Sequence, residues 1–152
     1  MERIIYLAII LVLTVPCLAQ NKRLTEKDKL LIVNYVLANT NFQSGANGYD
    51  KVIYLSSENL PDSFLTLRNK TFDGMKVELL NSKEIEKRTV YGFDYWQFEP
   101  FEVKRNDVNV SFARKFSNTT AGAGNSFGKM YNCKRIGKSW KCGVAGLRSV
   151  MT

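Results

Sequence analysis

The 152-residue sequence contains no histidine. Histidine is the commonest general base and a usual metal ligand, so its absence removes the simplest route to acid–base or metal chemistry. The sequence also has no nucleophile elbow, phosphate-binding loop or dinucleotide-binding motif. These absences favour a non-catalytic protein, and we expect neither a cofactor nor a metal site.

Long apolar runs are almost absent too. One run, at residues 4–15, follows the charged start at residues 1–3 and leads into the tetrapeptide at residues 16–19. This pattern predicts a signal peptide over residues 1–19 and a secreted or periplasmic protein. The run is shorter than the roughly 20 residues that a bilayer core demands. Retention as an anchor and lipidation at Cys17 are the alternatives, and no transmembrane segment is expected after cleavage.

The remaining residues, 20–152, have the length of one ordinary domain and can bury a core. No repeat, low-complexity tract or linker divides them. We therefore predict a single secreted domain.

Cysteine is scarce, and only Cys133 and Cys142 lie within this domain. In "YNCKRIGKSWKC" a two-residue turn at Gly137 and Lys138 brings them directly opposite each other, at a pair where the α-carbons are about 4.5 Å apart. A structural zinc site needs four thiolate or imidazole ligands, and a redox pair favours two-residue spacing. The spacing and the oxidising compartment predict a structural disulfide worth about 2 kcal/mol.

The same register divides the hairpin into two faces. The face predicted to join the core consists of Tyr131, Cys133, Arg135, Trp140, Cys142 and Val144. The opposite face consists of Asn132, Lys134, Ile136, Ser139 and Lys141. Arg135 either lays its guanidinium over the indole of Trp140 or covers the end of the sheet.

The amino-terminal half alternates between helical and strand patterns. "LTEKDKLLIVNYVLANT" predicts a helix that begins with a cap at Thr25 and Asp28, and its apolar face should cover the sheet. "YDKVIYLSS" and "GMKVELLNS" predict strands, and between them "NLPDSFLTL" predicts a short helix capped by Asn59. "SKEIEKR" fits either a helical turn or a charged connection.

The carboxy-terminal half predicts long antiparallel strands. In "FEPFEVKRNDVNVSFARKF" a turn at Asn106 and Asp107 pairs Val103 with Val110, and Pro100 marks an edge or a bulge. The polar, glycine-rich residues 117–128 are predicted to form a connection, which leads to the last hairpin.

This order of elements, ending in "IGKSWKCGV", resembles the ketosteroid-isomerase-like cone folds, also called nuclear-transport-factor-two-like. The resemblance implies an α+β domain in which an amino-terminal helix packs on a curved, cone-like antiparallel sheet. In that family an aspartate base and a tyrosine or acid donor can line the cone, while many members only bind ligands or partners. Function does not follow from the fold alone.

The best catalytic candidate is Asp94, which lies with Tyr95 in the aromatic segment "YGFDYWQF". Desolvation by aromatic side chains can raise the pKa of a carboxyl group toward the range of a general base, with a tyrosine hydroxyl as donor. The alternative is that Asp94 caps a turn after Gly92. The enzyme hypothesis is therefore an isomerase or hydrolase that uses Asp94 as acid or base.

Acidic residues are scarce in the last third of the sequence. Residues 20–102 carry eleven Lys and Arg against twelve Asp and Glu, whereas residues 103–152 carry ten against one. Lys134 and Lys141 face each other across the predicted hairpin, with Lys138 at its turn, and facing like charges are unfavourable. We interpret this hairpin, together with Arg135, as a binding surface for an acidic protein, glycan, lipid headgroup or other anionic ligand.

The alternative is a solvated lysine face, or one neutralised by acidic residues from the amino-terminal half. Nucleic acid is not expected as a partner. The sequence has no recognised nucleic-acid-binding module, and Tyr131 and Trp140 lie on the face opposite the lysines.

Overall fold

The computed structural model describes residues 24–42, 52–66, 71–72 and 74–151. The predicted signal peptide, residues 1–19, lies outside these residues. The described chain forms three helices and eight strands. They are α1 (Glu26–Ala38), β1 (Val52–Ser56), α2 (Asp62–Leu65), β2 (Thr71–Phe72), β3 (Met75–Leu80), α3 (Ser82–Thr89), β4 (Phe93–Phe98), β5 (Glu102–Lys104), β6 (Asp107–Asn118), β7 (Ala123–Ile136) and β8 (Ser139–Met151).

The strands form one curled, half-barrel sheet in the order β2-β3-β1-β4-β6-β7-β8, with β5 paired to β6. The α+β class is confirmed, but the prediction of an antiparallel sheet is wrong. Strand β1 pairs in parallel with both β3 and β4, so the sheet is mixed. The pairings from β4 to β8 are all antiparallel, and so is the pairing of β2 with β3.

Helix α1 begins with the predicted capping box. The Thr25 hydroxyl accepts a hydrogen bond from the Asp28 backbone N–H at 3.1 Å, and the Asp28 carboxylate accepts one from the Thr25 backbone at 3.2 Å. These bonds satisfy amide groups that the first helical turn leaves without partners. One buried cluster contains apolar side chains of the helix and of the sheet; its largest fully buried members include Ile32, Leu37, Leu55, Phe98 and Phe112.

The other helices differ in part from the sequence-based expectations. The ambiguous segment "SKEIEKR" lies within α3, where Asn81 and Glu84 form a second capping box. Helix α2 begins after Pro61 rather than at Asn59. Asn59 instead has φ of 60°, and its side-chain amide donates to the Phe98 carbonyl at 2.9 Å.

Residues 117–128 were predicted to form a connection, but most of them belong to two long strands. Strand β6 continues to Asn118 and β7 begins at Ala123, so only a tight turn separates them. The turn of the preceding hairpin also lies one residue earlier than predicted, at Arg105 and Asn106. As a result Val103 pairs with Val108 instead of Val110.

None of the helices in the described ranges is long and apolar enough to cross a bilayer.

Candidate functional site

The carboxy-terminal hairpin has the predicted register. Cys133 faces Cys142, and the two form a disulfide with their α-carbons 4.0 Å apart. Gly137 has φ of 63°, in the left-handed region that glycine enters without steric cost, at the first turn position. Cys133 is completely buried, so the disulfide joins the edge strand β8 to the core.

Three lysines lie together at the tip of this hairpin, and we call them the lysine face: Lys134, Lys138 and Lys141. Lys134 pairs directly with Lys141 across the two strands, and Lys138 occupies the turn between them. All three are exposed, and Ile136, which shares their face, is 54% exposed. The side chains that the sequence predicted to form a binding surface are therefore accessible at the same time.

Acidic groups neutralise this surface only in part. The Lys134 ammonium lies 3.7 Å from the Asp107 carboxylate on the neighbouring strand β6. Among the described residues, neither Lys138 nor Lys141 forms an ion pair. Strands β7 and β8 themselves contain no aspartate or glutamate. Positive charge therefore remains in excess at the hairpin tip.

Arg135 does not belong to the lysine face. It lies opposite Trp140 on the other side of the hairpin, and its guanidinium is 3.7 Å from the Asp28 carboxylate of α1. Of the four predicted binding residues, the structure thus brings together the three lysines and separates Arg135 from them.

The Asp28 carboxylate links α1 to the hairpin beside its turn, a contact that the sequence did not predict. It accepts hydrogen bonds from the Trp140 indole N–H at 2.9 Å and from the Thr25 hydroxyl at 2.7 Å. Burial by itself raises the pKa of Asp28, but these hydrogen bonds and the charge of Arg135 outweigh burial and lower the pKa below its ordinary value. Asp28 is therefore an ionised, buried hydrogen-bond acceptor. Together with Trp140 it also lines a cavity of about 340 Å³.

The two catalytic candidates lie on opposite faces of one strand. Asp94 and Tyr95 are neighbours in β4, whose successive side chains alternate between faces. The Asp94 carboxylate forms an ion pair with Arg114 at 2.9 Å and lines a groove that also contains Phe116 and Phe127. Asp94 is a strand residue, so the expectation that it caps a turn is wrong.

On the other face, burial raises the pKa of Tyr95, and the negative charges of Glu58 and Glu99 raise it further. A tyrosine with a raised pKa stays protonated at neutral pH. Glu58 accepts hydrogen bonds from Ser82 and from Gln97, both at 2.6 Å. The geometry gives Asp94 a cation as partner and places the Tyr95 ring on the opposite face, stacked on Phe93 with the ring centroids 6.2 Å apart.

Within the described ranges, no three His, Cys, Asp or Glu side chains come together in a way that could hold a metal ion. The two cysteines are joined to each other. The described chain therefore offers no cluster of metal ligands.

The part of the hairpin that lies farther from the turn than the disulfide is exposed on the face that was predicted to join the core. Val144 was predicted to be a core residue, but it is 57% exposed. Leu147 and Phe127 lie on the same face and are 69% and 57% exposed. The prediction fails because the hairpin extends past the buried cluster. No other element of the described chain covers its outer half, the part farther from the turn than the disulfide.

Comparison with protein-family models, with curated proteins and with solved structures finds no match to this chain. The resemblance to the cone folds therefore stays a prediction.

Proposed function

We propose that this protein is a small, non-catalytic domain that binds an acidic partner through the lysine face of its carboxy-terminal hairpin. The observation that carries the proposal is the direct pairing of Lys134 with Lys141, beside Lys138, on strands without a single acidic residue. Facing like charges destabilise a sheet, and an acidic partner would relieve the repulsion.

The mechanism of such binding rests on a rigid platform. The disulfide fixes the two strands at Cys133 and Cys142, next to the lysine pair. In this proposal α1 covers the core face of a cone-like sheet beside the hairpin turn, where the Asp28 carboxylate accepts a hydrogen bond from the Trp140 N–H. The lysines then hold their relative positions before a partner arrives, which reduces the entropy lost on binding.

We further propose that the protein is exported, with residues 1–19 as its signal peptide. A disulfide is typical of proteins that fold in oxidising compartments outside the cytosol. Export would also expose the lysine face to acidic glycans, lipid headgroups and proteins outside the cell.

The enzyme hypothesis receives no comparable support. It requires Asp94 in an enclosed pocket with a tyrosine hydroxyl within reach, whereas Asp94 is ion-paired to Arg114 and Tyr95 projects from the opposite face. We therefore advance no catalytic function.

The proposal is tested by binding of the purified protein to acidic peptides, glycans and anionic vesicles at low and moderate salt. Lys134→Glu/Lys141→Glu should weaken binding to one class by at least about tenfold, since the change reverses two charges at the site and contacts with exposed charges are screened by salt. Isothermal titration calorimetry or fluorescence anisotropy measures the difference.

The matched control is Lys76→Glu/Lys83→Glu, which changes the net charge equally but lies on β3 and α3. Equal losses in the two double variants would show that only net charge matters, and the lysine face would then be a solvated surface.

A further inference from the structure

Strand β8 is the last strand of the sheet. Within the described chain it pairs with β7 on one side and with no strand on the other. It runs for 13 residues from Ser139 to Met151, and residues 143–150 are exposed apart from the half-buried Gly146. An exposed edge of this length presents a row of unpaired backbone N–H and C=O groups.

The edge has an apolar side and a cationic side. Register places Val144 and Leu147 on the same face as Phe127, and all three are more than half exposed. Lys129 of β7, which pairs with Leu147, lies on this face as well and is half-buried. On the opposite face Lys141 and Arg148 are exposed, and Val150 near the end of the strand is 42% exposed. A strand added beside β8 would therefore meet apolar side chains above the sheet and cations below it.

Proteins commonly protect such edges with proline, with bulges or with charged side chains. Strand β8 contains no proline and no acidic residue. A register shift between Met130 and Tyr131 of β7 leaves one extra residue, Ala145, in β8, so the bulge is confined to one point. The remaining protection is the positive charge, which repels a cationic strand and attracts an acidic one.

We propose that the free edge of β8 binds an extended segment of a partner protein as an additional strand, and that this segment alternates apolar with acidic residues. The apolar residues would contact Val144 and Leu147, and the acidic residues would face Lys141 and Arg148. Backbone hydrogen bonds would supply affinity and the alternation would supply specificity. This inference rests on the proposed function, for which it names the partner class and the mode of binding.

A second copy of β8 fits the edge less well. Directly paired residues of adjacent strands share a face, so two antiparallel copies would bring their Lys141 and Arg148 side chains to the same face. An acidic glycan or a lipid headgroup could neutralise these cations, but it has no peptide backbone with which to extend the sheet. The complementary occupant is therefore an acidic peptide segment.

The experiment uses a fluorescent nine-residue peptide that alternates valine with glutamate, and two derivatives of it. One derivative carries N-methyl groups on the valine nitrogens and the other on the glutamate nitrogens. In a strand the residues with side chains on one face also direct their N–H groups to one edge, so each derivative blocks a different edge. Both derivatives keep every side chain and the full charge.

A peptide added beside β8 would form backbone hydrogen bonds to it through only one of its two edges. We therefore expect one methylated peptide to bind the purified protein at least tenfold more weakly than the parent, while the other keeps affinity within about threefold. Arg148→Glu should weaken the parent peptide at least fivefold, and a peptide with lysine in place of glutamate should recover binding to that variant. Lys76→Glu on β3 is the control for net charge.

Equal affinity of the parent and both methylated peptides would overturn the added-strand inference, because charge alone would then explain binding. The proposed function would survive that result if Lys134→Glu/Lys141→Glu still abolished binding. Absence of binding to every acidic probe would overturn both. Dimerisation through β8, detected by sedimentation and abolished by Leu147→Lys, would identify a second copy as the occupant and overturn the peptide proposal.

Discussion

The centre of the sheet and its carboxy-terminal hairpin belong to one sheet but differ in how far their apolar side chains are buried and their charges are paired. In the centre, Phe98 and Phe112 are at most 1% exposed, and cations have acidic partners, such as Arg114 of β6 with Asp94 of β4 at 2.9 Å. In the hairpin, large apolar side chains are exposed and Lys141 has no ion-pair partner among the described residues. The centre contains both signs of charge and pairs them internally, whereas β7 and β8 carry basic residues and no acidic ones.

The largest effect on stability is expected when a buried phenylalanine is compared with an exposed one. Phe112→Ala removes a ring that contacts Phe42, Trp96 and Phe98 in the buried cluster. We expect it to lower the free energy of unfolding by about 3–5 kcal/mol, because it leaves a cavity in a packed core. Urea unfolding followed by tryptophan fluorescence measures the loss.

Phe127→Ala is the matched control on the adjacent strand, since this ring is 57% exposed. We expect a loss of less than about 1 kcal/mol. A loss as large as that of Phe112→Ala would mean that the outer half of the hairpin is covered in solution, and the contrast between the two regions would disappear.

The second test concerns the contact between helix α1 and the hairpin. Trp140→Phe removes the N–H that the buried Asp28 carboxylate accepts at 2.9 Å. We expect the free energy of unfolding at neutral pH to fall by about 1–3 kcal/mol, because a buried charge loses a hydrogen bond. Urea unfolding at pH 7 and at pH 3 measures the effect.

The pKa of Asp28 determines how the effect of Trp140→Phe on stability should change with pH. The folded-state pKa of Asp28 is lowered from the ordinary value of 3.8, so its stabilising contribution is present above that value and is lost as the pH falls through the folded pKa. Trp140→Phe should raise the pKa of Asp28 and reduce the stability that is lost on acidification. An unchanged acid dependence would show that the indole does not stabilise the carboxylate.

Local rules predicted the parts of the fold that short segments decide. The turn at Gly137 and Lys138 set the register of the last hairpin, including the disulfide, because a two-residue turn leaves one pairing. The capping box at Thr25 and Asp28 was equally local. Nothing local marked β1 as the parallel neighbour of β3 and β4, since strand pairing is decided by the whole domain.

Glycine content misled the prediction for residues 117–128. Gly128 was predicted to end a polar, glycine-rich connection, yet it lies within β7, where a β-carbon would come within 2.5 Å of the Phe112 carbonyl oxygen. Glycine is required there by the close approach of a strand rather than by a turn. The predicted turn at Asn106 and Asp107 also lies one residue too far along the chain. Its register would set Arg114 opposite Glu99, whereas Arg114 lies opposite Trp96 and forms its ion pair with Asp94.

The smallest expected effect tests the hairpin itself. Lys141→Glu replaces a like-charge pair across β7 and β8 with an attractive one. We expect the free energy of unfolding to rise by about 0.2–1 kcal/mol, and by more at low salt, because exposed charges are screened. Lys76→Glu on β3 faces Thr71 and Val52, which are uncharged, and should leave stability unchanged.

The gain should be larger in an Asp107→Asn background, since Asp107 lies 3.7 Å from Lys134 and already relieves part of the repulsion. If Lys141→Glu stabilises the protein and at the same time weakens its binding to an acidic peptide, the facing lysines reduce stability while they serve recognition. If stability does not change in either background, the two lysines do not repel each other measurably. The hairpin would then need no partner to neutralise it, and the contrast with the centre of the sheet would rest on its exposed apolar side chains alone.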